Sequence, residues 1–160
     1  MDLAKGGDLL QRINFSRNNI QLIKEEEIWM IFFHTLSGID VLHQKKIVHR
    51  DIKPANIFLA NDGKAQIGDL NVSKIAKQKF LTTFTGTPFY MSPEIYKGLP
   101  YDEKTDIWSL GCILYELATL QPPFTANNIM DLRLKQIPKQ DSLASRFLKL
   151  NHSRMGVITS

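Results

Sequence analysis

The sequence has 160 residues, 43% of them hydrophobic and 22% charged, enough for one compact core and too little for two generous ones. Nine glycines and seven prolines exclude a collagen-like or low-complexity chain. Twenty Lys and Arg against 16 Asp and Glu leave a net charge of only +4, short of the concentrated positive face of a nucleic-acid binder.

In chain order, residues 1–7 lack a basic stretch followed by an apolar one, so no signal peptide is read there. Gly6 and Gly7 allow almost any backbone angle, and Asp8 is a plausible N-cap for a short helix beginning at Leu9. Three glutamates, Glu25 to Glu27, then precede Ile28, Phe32, Leu36, Ile39 and Leu42, which recur at steps of three or four. That spacing predicts a helix over about residues 25–43 with one buried face, its acids at the positive end of the dipole. The apolar block at 28–33 is far shorter than the roughly 20 residues of a membrane span.

Ile57-Phe58-Leu59 and Ala65-Gln66-Ile67 flank an Asn-Asp-Gly turn and predict a small β-hairpin. Periodicity is lost from Lys74 to Phe89, which reads as a long irregular loop, its Lys74, Lys77 and Lys79 a solvated face that helps attract phosphate or acidic peptide. Residues 106–117 (Ile107, Trp108, Leu110, Cys112, Ile113 and Leu114 among them) are apolar nearly all round and predict a helix in the middle of a core, ended by Gln121-Pro122-Pro123. Cys112 is the only cysteine, which excludes a disulfide framework and fits a reducing, cytoplasmic setting. One more helix is expected over residues 127–135, and the fold class is mainly α with one small hairpin.

The chemistry concentrates in His49-Arg50-Asp51-Ile52-Lys53-Pro54-Ala55-Asn56, between the long helix and the hairpin. Asp51 can accept a proton, Lys53 can neutralise a phosphate oxygen, and Asn56 can offer its carbonyl oxygen to Mg²⁺. Asp69, just past the hairpin, adds a second hard-oxygen ligand. Standing alone, an Asp-x-Lys on a loop is usually a solvated salt bridge. Here the spacing matches H-R-D-x-x-x-x-N at every fixed position, which is the catalytic-loop signature of protein kinases.

The chain therefore resembles a eukaryotic protein kinase, and later motifs follow in the same order. Gly68-Asp69-Leu70-Asn71 stands where the family has its D-F-G motif, with Leu for Phe and Asn for Gly. Gly86-Thr87-Pro88-Phe89-Tyr90-Met91-Ser92-Pro93-Glu94 resembles the end of an activation segment, and Asp106-Ile107-Trp108-Ser109-Leu110-Gly111 the start of the large helix of the C-terminal lobe. Lys53 two residues after Asp51 is typical of serine/threonine kinases. The wording around Gly6-Gly7-Asp8-Leu9, Asp69-Leu70-Asn71-Val72 and residues 86–94 is most similar to the NIMA-related kinases.

The resemblance implies roles. Asp51 would orient the substrate hydroxyl and take its proton, Lys53 would steady the transferred γ-phosphoryl group, and Asn56 and Asp69 would hold Mg²⁺. Asp2 and Ala4 would meet the adenine edge at the hinge, Asp8 would reach the ribose unless it only caps its helix, and Phe58 would lie beneath the base, a place compatible with a core aromatic of the hairpin. Arg50 would pair with a phosphorylated threonine, Thr83 before Thr82 or Thr85, and Thr87 would pack beside Asp51 and select serine or threonine substrates. Leu70 would pack toward His49. His34 and His43 read as packing or surface residues. ATP and Mg²⁺ are the implied cofactors and a protein with a Ser or Thr acceptor the implied partner, with no nucleic acid and no membrane.

The resemblance begins at the hinge and runs to about Ile137. The expected organisation is a partial kinase domain over 1–137, hinge and C-terminal lobe, and a divergent, poorly ordered tail over 138–160. No G-x-G-x-x-G loop, V-A-I-K lysine or αC glutamate is read in the sequence, so the isolated chain is expected not to turn over. The alternative is a non-catalytic kinase-like lobe that binds proteins. Neither Arg146 nor Arg154 convincingly matches the arginine that would pair with Glu94, whose burial alone would cost several kcal/mol.

Overall fold

The computed structural model describes residues 6–68, 74–75 and 88–125. The chain runs through helix α1 (Leu9–Asn18), helix α2 (Glu25–Gln44), strands β1 (Ile47–Val48), β2 (Ile57–Leu59), β3 (Ala65–Ile67) and β4 (Lys74–Ile75), a short helix α3 (Pro93–Tyr96) and helix α4 (Lys104–Thr119). Single 3₁₀ turns stand at Pro54–Asn56 and Pro88–Tyr90. The architecture is helical with two small antiparallel sheets, β1 with β4 and β2 with β3. None of the described helices is long and apolar enough to cross a membrane.

Asp8 caps α1 as expected, its Oδ1 accepting from the Gln11 N–H at 2.8 Å. Leu9, Ile13 and Ser16, spaced at four and three, form its buried face. Arg12 then ties α1 to the start of α2 with a two-pronged bond to Glu27, Nε to Oε1 at 2.8 Å and Nη2 to Oε2 at 2.9 Å. Helix α2 has the expected extent, but its buried face is Ile28, Ile31, Thr35 and Ile39. Phe32 and Leu36 are only partly buried against the core, and Leu42 is half-exposed. Thr35 can lie in that face because its hydroxyl donates to the Ile31 carbonyl one turn back, at 2.8 Å.

The hairpin forms in the expected register, Ile57 opposite Ile67, Phe58 opposite Gln66 and Leu59 opposite Ala65. Gly63 supplies the left-handed φ of +81° that the turn requires. The segment before α1 adds itself to β2: the Gly6 N–H donates to the Leu59 carbonyl at 3.0 Å, and the Leu59 N–H to the Gly7 carbonyl at 2.9 Å. Alternation turns Ile57 and Ala65 into the core and Phe58 outward at 37% exposure. Phe58 is therefore not a core aromatic of the hairpin.

Three further expectations are corrected. The segment read as irregular from Lys74 onward opens with β4, which pairs Ile75 with Ile47 and Lys74 with Val48. Helix α4 is not apolar all round in practice: Ile107 is 40% exposed, while Asp106, Glu116, Thr105 and Ser109 are buried. These polar side chains take places in the interior because each finds a partner there. The helix ends at Leu120 in the left-handed region, φ +59°, before the prolines, and Phe124 folds back to stack on Trp108 with ring centroids 5.8 Å apart. Glu94, in the first turn of α3, is half-buried rather than buried, so the cost of a fully buried lone acid does not apply to it. The expected helix at 127–135, the tail from 138 and Arg146 and Arg154 lie outside the described residues.

Candidate active site

The loop after β1 is shaped by a carboxylate that comes from α4. Asp106, 1% exposed, accepts from the His49 N–H at 2.9 Å and the Arg50 N–H at 2.8 Å, and its Oδ2 also meets His43 Nε2 at 2.8 Å. Arg50 lies at φ +70°, a left-handed conformation that costs a non-glycine residue about 1–2 kcal/mol. Hydrogen bonds to a charged acceptor contribute about 1.5–3 kcal/mol each, so two of them from adjacent amides outweigh the strain. His49 is fully buried, and its ring is oriented at both nitrogens. Nδ1 accepts from the Asp51 N–H at 3.3 Å, which makes Nε2 the donor to the Gly68 carbonyl at 3.1 Å. The Arg50 guanidinium reaches toward the buried Tyr101 hydroxyl, Nη1 to Oη 3.4 Å.

On this platform Asp51, Lys53 and Asn56 converge. Lys53 Nζ lies 2.7 Å from Asp51 Oδ2, with side-chain exposures of 25% and 11%. The Asn56 amide nitrogen donates to the Asp51 backbone carbonyl at 2.9 Å and to Asp51 Oδ2 at 3.1 Å. A solvated surface pair has neither this burial nor a third partner. The 3₁₀ turn at Pro54–Asn56 brings Asn56 back over the loop, closed by the Asn56 N–H donating to the Lys53 carbonyl at 3.0 Å. With its nitrogen directed at Asp51, the Asn56 amide presents its oxygen as a hard donor of the kind Mg²⁺ takes. The Gly68 N–H donates to the Asn56 carbonyl at 2.9 Å, which holds Gly68 against Asn56. The residues present thus fit a Mg²⁺ site completed by phosphate oxygens, although no cluster of three His, Cys, Asp or Glu side chains occurs among the described residues.

Asp8 and Phe58 meet across an isolated bridge between the segment before α1 and β2, and the Phe58 ring leans over Gly68. The structure therefore brings together Asp8, Phe58, Gly68, Asn56, Asp51 and Lys53. Asp2, Ala4, Asp69, Leu70, Lys77, Lys79, Thr82, Thr83, Thr85 and Thr87 lie outside the described residues, as does the side chain of Lys74. His34 and His43 pack as expected: His34 Nδ1 accepts from the Ala65 N–H at 3.3 Å, and His43 joins Asp106.

A second buried network lies behind the segment at residues 88–93. The Tyr90 hydroxyl donates to Glu116 Oε2 at 2.7 Å, and Arg17 reaches from α1 to Glu116 Oε1 at 3.5 Å and to the Leu120 carbonyl at 2.8 Å. Burial pushes the Glu116 carboxyl above the usual range, against the opposing pull of Tyr90 and Arg17. Burial, and then the neighbouring Glu116, push up both the Tyr90 hydroxyl and the Cys112 thiol. Burial also pushes the Tyr96 hydroxyl up to about 12, and that hydroxyl donates to the Pro88 carbonyl. Ser109 Oγ donates to the Tyr90 carbonyl at 2.7 Å, so α4 grips this segment twice.

Sequence reasoning missed Asp106 as the anchor of the loop, Tyr101 as a neighbour of Arg50, and Gly68 as a meeting point. An acid at a helix N-terminus is explained by the dipole alone, so only its place in an otherwise apolar run signals a buried role for Asp106.

The model of the protein kinase domain matches residues 1–155 of the chain. The chain is 42% identical over 152 residues to the probable serine/threonine-protein kinase nek2 of Dictyostelium discoideum, covering 92% of the chain and 36% of that protein. It is 43% identical over 137 residues to the mouse serine/threonine-protein kinase Nek3, covering 84% of the chain and 26% of the relative. To the human serine/threonine-protein kinase Nek5 it is 46% identical over 138 residues, again 84% of the chain and 19% of the relative. The chain thus spans about a fifth to a third of the length of these relatives. With the motif order, the pinned loop and the Asp51–Lys53–Asn56 cluster in agreement, the chain belongs to the protein kinase family and resembles, within it, the NIMA-related serine/threonine kinases.

Proposed function

We propose that the protein transfers the γ-phosphoryl group of ATP to serine or threonine hydroxyls of other proteins. The observation that carries this reading is the partly buried Asp51–Lys53–Asn56 cluster on a loop held by Asp106. Asp51 orients the acceptor hydroxyl and takes its proton as the oxygen attacks, and Lys53, 2.7 Å away, steadies the phosphoryl group in transit. Asn56 through its amide oxygen, together with Asp69, would hold Mg²⁺, which when bound would offset the charge on the nucleotide phosphates. Catalysis of phosphoryl transfer is largely positioning, which is what a loop tied at its backbone provides.

The nucleotide lies against Asp8 and Phe58, with Asp2 and Ala4 assigned to its adenine by the family resemblance. Asp2 and Ala4 meet the adenine through their backbone, Asp8 reaches the ribose with the carboxyl that caps α1, and Phe58 supports the base with its exposed ring. Arg50 receives the phosphate of a modified activation-segment threonine, Thr83 in preference to Thr85, and Thr87 selects the acceptor. The protein works in a cytoplasmic setting, consistent with its single buried cysteine.

The test is phosphoryl transfer from MgATP to casein by the full-length protein. Asp51→Asn, which keeps the shape of the side chain and removes its basicity, is expected to lower the rate by about 10²–10⁴-fold. Transfer that survives Asp51→Asn undiminished would overturn the assignment.

A further inference from the structure

Gly68 has no conformational need to be glycine. The described glycines with positive φ are Gly7, Gly63 and Gly98, and Gly68 is not among them. What marks Gly68 is space. A Cβ built there would lie 2.5 Å from Cε2 and 2.9 Å from Cδ2 of Phe58, where carbon atoms normally stand about 3.5–4.0 Å apart. Its backbone cannot withdraw from such a clash. The N–H is bonded to the Asn56 carbonyl at 2.9 Å and the carbonyl to His49 Nε2 at 3.1 Å, and both partners belong to the loop that Asp106 pins. The Phe58 ring, by contrast, is the far end of a side chain that is 37% exposed. Of the two bodies in contact, the ring is the one that yields.

We infer that Gly68 is a positioning residue that sets the height of the Phe58 ring, and so the depth of the nucleotide pocket above it, by the absence of a side chain. This rests on the reading of Phe58 as the support of the base. Any larger residue at 68 lifts the ring by roughly 1 Å toward the nucleotide, because that is the shortfall in the contact distance. Room for the base is lost while Asp51, Lys53 and Asn56 keep their geometry. The adenine edge and the catalytic loop would then be tuned through one backbone position lying between them, with Gly68 binding Asn56 and His49 on one side and seating Phe58 on the other.

The experiment is a double-mutant cycle on the full-length protein, read by binding of the fluorescent nucleotide mant-ADP with Mg²⁺, by thermal unfolding, and by KM for ATP against kcat. Gly68→Ala is expected to weaken mant-ADP binding about tenfold or more, as overpacking costs of this kind do, and to raise KM for ATP while kcat holds. Phe58→Leu, which removes Cε2, the nearest colliding atom, and puts two methyls free to turn aside in place of a rigid ring, should restore binding in the Gly68→Ala protein to the level of Phe58→Leu alone. An equal loss from Gly68→Ala with either residue at 58, or no loss at all, overturns the inference and leaves the nucleotide-site reading intact. Should Gly68→Ala unfold the protein, recovery of the fold by Phe58→Leu supports the steric link and failure to recover it refutes the link. Wild-type protein that binds no mant-ADP overturns the nucleotide-site reading itself, and the inference with it.

Discussion

Glu116 carries its carboxyl into the interior at 2% exposure, with Tyr90 donating to one oxygen and Arg17 standing 3.5 Å from the other. Burial dominates and raises its folded-state pKa above the ordinary 4.5. The folded chain therefore holds a proton over a range in which the unfolded chain has released it. The resulting stabilisation is complete below the unfolded value and is lost as pH rises through the raised one. Glu116→Gln, which still accepts from Tyr90, should lack this dependence. In urea unfolding the variant should gain on the wild type as pH rises from about 4, the unfolded carboxyl's range, through the raised folded value. A difference that does not change with pH would refute the raised carboxyl. At this scale the sequence was legible where the cluster is local. Asp51, Lys53 and Asn56 fall within six residues and declare themselves by spacing, whereas Asp106 acts on a loop 57 and 56 positions away, and no local pattern carries that distance.

Among elements, α1 is the one whose start matters most to the site, since Asp8 both caps it and bridges to Phe58. Asp8→Ala should cost about 0.5–2 kcal/mol of stability, and Asp8→Ser, which retains a capping oxygen, should return most of it. If the carboxylate also meets the ribose, only stability recovers in Asp8→Ser and mant-ADP affinity does not. Unfolding and binding measured on the same two variants separate the roles. Helix α2 and the β2–β3 hairpin were readable because a 20-residue periodic run and an Asp-Gly turn between Ile57-Phe58-Leu59 and Ala65-Gln66-Ile67 are strong local signals. Strands β1 and β4 are two residues each and α3 is four, too short for any period to show. They exist because neighbours supply their partners. Helix α4 was found by its apolarity, and the same apolarity hid its function, which resides in its buried acids.

Across the whole molecule, Asp106 joins α4, the end of α2 and the catalytic loop through three hydrogen bonds on one side chain. Asp106→Ala strands two backbone amides and removes the support for the left-handed Arg50, so a loss of about 3–5 kcal/mol is expected. Its urea midpoint should fall accordingly, and activity should fall further than unfolding accounts for, measured well below the midpoint. A loss below about 1 kcal/mol would show that the loop holds its shape without the anchor. The Arg17 bond to the Leu120 carbonyl spans 103 residues, and the Asp106 bonds span more than 50, whereas α2 and the hairpin are near neighbours along the chain. Closing long loops costs entropy before any contact rewards it, so such ties form late. The loop's full conformation thus waits on α4: a chain interrupted before Asp106 can build the hairpin and keep the local bonds of Asp51 to Lys53 and Asn56, but it lacks the carboxylate that fixes the His49 and Arg50 amides.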